Sequence, residues 1–544
     1  MSKTLLEEAL QTLDCSTREA FKLATTSPSL EGGDSLQPDA SRKLVLDRVR
    51  DTLRHCAIEH NSVAPTTACL PDELLVEIFA FLPMRGRLST SAVCESWRNV
   101  SLGNRRRLWS VIEDVEIEGL SALLDRAHGI PVSVHLRIDL QEESEIPDEL
   151  GRHMDHIQKL DLVINELNWD WIENWRSLFE CAAPMLRSFS LELDRTRNNH
   201  LELQHAIFGG KAPLLRVLHF INVGYEPSSC LQPAFSKLIQ RSESYGLFSK
   251  DTLSRLFRSS PLVQSLRIEI IETDGSFKVT SPIVPPASLR KLVVVSHRYE
   301  TNHKRIFKAI DHARIPIICL DDTWETDSSF DVIPVLCNAE IHSAVLHFCK
   351  SGIDVRFVDV VGNVRQFQSL QLYPGILEKL ATILSTISEL TLLGDLRYIP
   401  EEAEISCTAL RTLNVIDQVT QPRTIECARE SFEYDKPGHL EFWYGGGSLL
   451  PQGTHWNGLK CNKVETVRFS VTNYDPLMSL SHEDIARFVH SLSNDQRKVG
   501  TLELHACEGR TIDSIEFMDV AEKVAMYRRP LEVLWENEVG FEFV

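Results

Sequence analysis

The sequence predicts an α/β protein in two parts: a small all-helical segment, then a long array of short strands alternating with helices and pairing in parallel. Two patterns carry this expectation. Between residues 70 and 109, apolar residues recur at helical spacing in three short runs. From residue 157 onward a triplet keeps returning: an apolar residue, two others, an apolar, one other, an apolar. The scale fits, because 544 residues with 43% hydrophobic and 25% charged content hold material for a large core.

Residues 1–40 predict a flexible N-terminal segment. Leu6, Leu10 and Leu13 mark one short amphipathic stretch, and residues 25–40 are rich in Ser, Pro, Gly and Asp. An amphipathic helix is expected over 41–62, with Ser41 as N-cap and Leu46, Val49, Leu53 and Cys56 as its stripe. A turn follows before Leu70. Leu74, Leu75, Ile78, Phe79 and Leu82 then step by three and four, which places them on one helical face. Pro71 suits the first turn, and Asp72 and Glu73 favour the positive end of the helix dipole. Pro83 stops the helix. After a basic spacer at Met84–Arg87, a second periodic set runs through Leu88, Ala92, Val93 and Trp97, and a third ends at Leu108 and Trp109. Three such short helices cannot bury all of these side chains among themselves, so part of that surface calls for a partner.

The triplet occurs as Ile157-Leu160-Leu162, Leu186-Phe189-Leu191, Leu215-Leu218-Phe220, Val263-Leu266-Ile268, Leu289-Leu292-Val294 and Ile315-Ile318-Leu320. It returns as Phe367-Leu370-Leu372, Ile387-Leu390-Leu392, Leu410-Leu413-Val415, Val464-Val467-Phe469 and Val499-Leu502-Leu504. Its second and third members sit two apart on a strand and therefore point to one side, while the first anchors the turn entering that strand. Between middle residues the early steps are 29, 29, 48, 26 and 26, and the step of 48 has room for one skipped copy. Helix-like stretches lie between, at Trp169–Cys181, Asp251–Arg258, Ile376–Ile387, His482–Leu492 and Ile515–Tyr527. Residues 417–462 break the rhythm and read as an insertion or long loop.

Composition excludes several functions. A net charge of −20 disfavours phosphate backbones and anionic membranes, so neither nucleic acid nor membrane is an expected partner. Arg105, Arg106 and Arg107 read as a solvated edge. The 13 cysteines include no CxxC pair, which argues against structural zinc and for a reducing compartment. With no secretory signal and no apolar run of ~20 residues, the expectation is a soluble protein of the cytoplasm, the nucleus or both. Signs of chemistry are weak. Gly445–Gly447 lacks the Lys-Ser or Lys-Thr of a phosphate loop, and His482-Glu483 lacks the second histidine of a zinc helix. His153 with His156, and His347 with Cys349, are isolated pairs. No enzyme activity, metal or cofactor is expected.

The ordered residues from Leu70-Pro71 through Glu73-Leu74-Leu75, Ile78-Phe79, Leu82-Pro83, Val93-Cys94, Trp97-Arg98 and Leu108-Trp109 resemble the F-box, over residues 68–112. The resemblance implies docking on a Skp-type adaptor, and through it on cullin and RING subunits of a ubiquitin ligase. Carried over by position, the adaptor-binding residues are Leu70, Pro71, Leu74, Ile78, Leu82, Val93, Cys94 and Trp97. Thr90 departs from the pattern, where an apolar residue is usual. The triplets resemble leucine-rich repeats, so residues 115–544 are expected to form a leucine-rich-repeat-like solenoid that binds a target protein. Candidate target-binding residues lie beside the inward pairs: His219, Arg267, Glu269, Tyr373, Asn414 and Arg468. The layout looks like that of long fungal F-box proteins. A substrate receptor of an SCF-type ligase is the favoured expectation, and an adaptor-binding scaffold without degradation is the alternative.

Overall fold

The structure, a computed structural model, describes residues 70–113, 117–127, 129–139, 145–165, 171–193, 201–203, 207–225, 233–273, 282–296, 303–322, 332–337, 339–349, 352–370, 380–394, 405–417, 459–461, 463–471, 482–492, 498–505, 517 and 519–527. The expected segments 1–40 and 41–62, the core of the expected insertion, and Tyr373 lie outside the described residues. The chain divides into two units after Ser110.

Among its described residues the first unit has four short helices: α1 (Asp72–Ala80), α2 (Met84–Val93), α3 (Glu95–Gly103) and α4 (Arg105–Leu108). Pro71 and Pro83 stand as N-caps, one residue before α1 and α2, where a proline loses no hydrogen bond. The Pro71 carbonyl accepts from the N–H groups of Leu74 and Leu75. Met84–Arg87 is therefore no spacer: it is the first turn of α2. Trp97 likewise belongs to α3, because Cys94 breaks the run by taking an extended conformation and accepting from Trp97 N–H at 3.5 Å. Thr90 tolerates its half-buried place by donating its hydroxyl to Arg87 O at 2.8 Å. Leu75, Phe79, Leu108 and Trp109 fill the core, and the Trp109 indole donates to Ser101 O. Arg87 donates to the carbonyls of Leu82 and Leu108, at 2.8 and 3.0 Å, tying the end of α1 to the end of α4.

Among the described residues of the second unit, seventeen strands join one sheet that is parallel apart from a single inserted strand. It starts at Val111–Ile112, paired with Val132–Asp139, and ends at Ala521–Tyr527. Strand neighbours follow chain order except at one place. There Ile317–Asp322 pairs with Val364–Leu370, and Gly352–Asp359 lies antiparallel between Val364–Leu370 and Ile341–Cys349. Ile341–Cys349 then pairs in parallel with Glu389–Gly394 and chain order resumes. Helices such as Trp171–Glu180, Lys250–Ser259 and His482–Leu492 occupy the crossovers that parallel pairing requires.

Strict register turns the triplets into continuous side-chain rows. Leu160, Phe189 and Leu218 stand opposite one another, as do Leu266, Leu292 and Ile318, and then Leu390, Leu413, Val467 and Leu502. A parallel row carries Leu162, Leu191 and Phe220, then Ile268, Val294 and Leu320, then Leu392, Val415, Phe469 and Leu504. The residue after each anchor repeats a backbone bond too. Arg187 N–H donates to Gln158 O, Arg216 to Arg187, Ile239 to Arg216, Gln264 to Ile239 and Arg290 to Gln264, all at 2.7–2.8 Å.

The copy hidden in the step of 48 is the strand Gln240–Phe248. Its anchor is Leu238, but its inward pair is Arg241 and Glu243, with Arg241 opposite Leu266 and Glu243 opposite Ile268. Near the insertion the register also differs from the expectation. Arg365 and Phe367, not Leu370 and Leu372, stand opposite Ile318 and Leu320. Arg365 is tolerated in the row because its guanidinium donates to the carbonyls of Ile315, Pro316 and Val364 at 2.9–3.1 Å. The expected helix at Ile515–Tyr527 is instead the strand Ala521–Tyr527. Its Ala-Glu-Lys-Val-Ala-Met run favours helix locally, but pairing with Val499–His505 places Val524 and Met526 opposite Leu502 and Leu504, and tertiary pairing prevails.

Candidate adaptor-binding site

Helix α1 is apolar on two sides. Leu75, Val76 and Phe79 face the core of the unit. Leu74, Ile78 and Phe81 follow a separate stripe at spacings of four and three, and they are 49%, 48% and 88% exposed. Leu70 at 36%, Val93 at 52% and the exposed Pro71 add to this surface, and Leu82, Cys94 and Trp97 are half-buried beside or beneath it. The Trp97 ring lies against Phe79 with centroids 5.1 Å apart, so one tryptophan bridges core and surface. Glu77 on α1 pairs with Arg107 on α4. Five large apolar side chains left in water within one small helical unit mark a surface built for a partner.

Residues 67–112 match the F-box-like family model. Among the curated proteins, none matches this sequence. The helical unit is thus an F-box-like domain, and F-box domains bind Skp-type adaptors. Phe81, the most exposed large apolar residue in the F-box, is absent from the set carried over by position. Its signal lies in its spacing: it falls three residues after Ile78, on the stripe rather than on the core face.

The candidate target-binding residues fall between the row positions, on the opposite face of the sheet. His219 stands between Ser190 and Ser242 in register, and Arg267 is opposite Ser242. Burial and then Arg267 lower the His219 imidazole to about 4, with Glu269 and Asp161 acting against them. Glu269 is only 2% exposed; it accepts from Ser244 Oγ at 2.5 Å and pairs with Arg267 at 3.1 Å. Asn414, also buried, donates to Glu389 and Thr391. Its register partner Arg468 pairs with Glu503 at 2.8 Å. Arg267 and Arg468 keep partial solvent access, whereas His219, Glu269 and Asn414 are mostly enclosed. The middle of this face is covered as well, since Val293, Val295 and Cys319 are buried and pack with Ile317. Several polar groups here pair across strands: Ser244 with Glu269, Asn414 with Glu389 and Thr391, and Arg468 with Glu503.

The isolated pairs have structural partners. His153 and His156 meet edge to face at 5.3 Å between ring centroids, with His153 facing Glu149 and His156 facing Asp155. His347 faces Asp354 on the antiparallel neighbour at 3.4 Å.

Proposed function

We propose that this chain is the substrate-recognition subunit of an SCF-type (Skp–cullin–F-box) E3 ubiquitin ligase. The observation that carries the reading is the exposed stripe Leu70, Pro71, Leu74, Ile78, Phe81 and Val93 on a domain that matches the F-box-like family. The F-box docks on a Skp-type adaptor, which brings cullin and RING subunits. The sheet unit acts as a leucine-rich-repeat-like solenoid and holds a protein target, a reading supported by the common register of its strands and the repeated hydrogen bonds after its anchors. Target contact falls first on Arg267 and Arg468, the candidates that keep solvent access, with His219, Glu269 and Asn414 setting the face beneath them. The chain supplies no acid, base or nucleophile. It raises the effective concentration of a target lysine near the charged ubiquitin thioester, which is catalysis by proximity. Such a role places it in the cytoplasm, the nucleus or both.

The test is affinity capture with the tagged full chain. Adaptor, cullin and RING subunit are expected together. Replacing Leu70 and Pro71 with Ala removes interface apolar contacts of the kind that contribute ~2 kcal/mol or more, so adaptor binding is expected to weaken over tenfold and all three subunits to be lost together. Wild-type capture by the double variant overturns the assignment. Capture of adaptor without cullin and RING overturns the ligase reading and leaves an adaptor-binding scaffold.

A further inference from the structure

We propose that Cys407 and Cys461 form a reversible intrachain disulfide, making the pair a site of oxidative modification. The placement begins with a small two-stranded sheet, separate from the main one, in which Ile405 pairs with Leu459 and Ser406 with Lys460 in parallel. One step further along the same register, Cys407 comes opposite Cys461. Neighbouring strands lie about 4.8 Å apart, inside the ~4.4–6.8 Å between Cα atoms that a disulfide spans. Both residues are buried, at 0% and 3% exposure, within one hydrophobic core. The Cys407 side chain is the largest influence on the Cys461 thiol, as expected of close neighbours.

Burial alone makes a thiol inert, and that part of the environment keeps the pair reduced while it is closed. The Cys407 partner and burial together push the Cys461 thiol far above the ordinary range. The ladder holding the pair is weak, however, because each of its strands is two residues long. Short ladders open locally at low free energy, well below global unfolding. Cys319 offers the contrast: it lies within a six-residue strand of the main sheet, and its thiol faces Gln366.

Oxidation then follows ordinary thiol–disulfide exchange with a small organic disulfide such as glutathione disulfide. One thiol of the opened pair loses its proton, and the thiolate attacks a sulfur of the oxidant. A mixed disulfide forms and one glutathione leaves as thiolate. The second thiol loses its proton and attacks the protein sulfur of that mixed disulfide, expelling the second glutathione. The two glutathione thiolates take up the two protons, so two protein thiols are oxidised and one small disulfide is reduced. The new bond closes the chain between positions 407 and 461 into a covalent loop around the stretch that breaks the strand rhythm.

The experiment uses the reduced full chain, incubated with glutathione disulfide, then alkylated, digested and mapped by mass spectrometry. The expected product is a Cys407 peptide linked to a Cys461 peptide, abolished by reductant and formed faster in urea below the unfolding transition. Cys319→Ser is expected to keep the link. Cys461→Ser is expected to lose it and to leave Cys407 carrying glutathione. The proposal is overturned if both thiols stay fully alkylatable while half-exposed Cys94 and Cys181 acquire glutathione. It is equally overturned if Cys407 links to other cysteines as often as to Cys461.

Discussion

Arg241 and Glu243 occupy two positions that neighbouring strands fill with leucine, isoleucine or phenylalanine, and this substitution of charge for hydrocarbon yields a sharp prediction. Their side chains are 4% and 0% exposed and pair at 2.6 Å. Arg241 also donates to Ser259 and Ser260 at 2.6 and 2.7 Å, and its guanidinium lies 4.9 Å from the centre of the Phe235 ring. Glu243 accepts from the Tyr245 hydroxyl. Removing either charge strands the other in the core. Glu243→Leu or Arg241→Leu alone should therefore destabilise by about 3–5 kcal/mol.

The double replacement behaves differently. With leucine at both positions, the strand would restore the row formed by Leu266 and Ile268 next door. Replacing a buried ion pair with hydrocarbon of similar volume stabilises by ~1–4 kcal/mol or is neutral, while the Tyr245 hydroxyl loses its acceptor at ~1–3 kcal/mol. The net change should lie within about 3 kcal/mol of wild type, so the coupling is at least ~3 kcal/mol, at the top of the range for contacting residues. Urea unfolding reads the stabilities. Amide exchange over Gln240–Phe248 reads the same quantity locally, which matters in a chain of two units where a single transition is not assured. Single variants within about 1 kcal/mol of wild type, or a double variant whose loss equals the sum of the singles, would refute the reasoning.

Within the F-box, Phe81→Ala should leave the stability of the free chain within ~0.5 kcal/mol and weaken adaptor binding about tenfold or more, read by calorimetry against the isolated adaptor. Trp109→Ala should do the reverse, losing about 3–5 kcal/mol of stability by thermal or urea unfolding, because the ring is fully enclosed. Burial lowers the His303 imidazole to about 4, and neither of its ring nitrogens has a hydrogen-bond partner among the described residues. Between the ordinary value near ~6.5 and 4, the unfolded chain takes up a proton that the folded chain refuses. His303 therefore lowers stability as pH falls through that window, by on the order of 3 kcal/mol at its lower end. His303→Leu should flatten the dependence of urea midpoint on pH between 7 and 4, and an unchanged slope counts against a buried neutral ring.

The strands that are legible in the sequence are those whose inward pair is hydrocarbon. Leu160-Leu162, Leu413-Val415 and Leu502-Leu504 sit in the rows that their spacing predicts. Other strands escape the pattern, each for its own reason. Arg241-Glu243 inverts the polarity of a core pair, Arg365 displaces the apolar signal by several residues, and Ala344 beside Leu346 is too small to register as an apolar position. Ala521-Glu522-Lys523-Val524 favours helix until a neighbouring strand pairs with it. The antiparallel strand Gly352–Asp359 follows from none of these patterns. Its core residues Val355 and Phe357 alternate with period two, as in any strand, and alternation carries no direction.

The two proposed binding surfaces differ in the same physical way. On α1 and its C-cap the exposed stripe Leu74, Ile78 and Phe81 coexists with the buried set Leu75, Val76 and Phe79 of a nine-residue helix. A helix that short has one side for a core, so a second apolar side is an anomaly of the sequence itself, and the anomaly is the site. Among the described residues, the strands that carry the candidate target positions show no such excess. Polar residues alternating with apolar ones are what any half-covered strand needs, and His219, Glu269 and Asn414 turn out to be occupied with their own neighbours. Under the proposed function, specificity for a target would rest on Arg267 and Arg468, which are left partly exposed and paired with the carboxylates of Glu269 and Glu503. An acidic target segment must compete with those carboxylates or add to their pairing. Arg468→Ala should therefore reduce target capture while leaving adaptor binding at its wild-type level, measured in one affinity capture. Loss of both together would mean that Arg468 supports the fold and not the target.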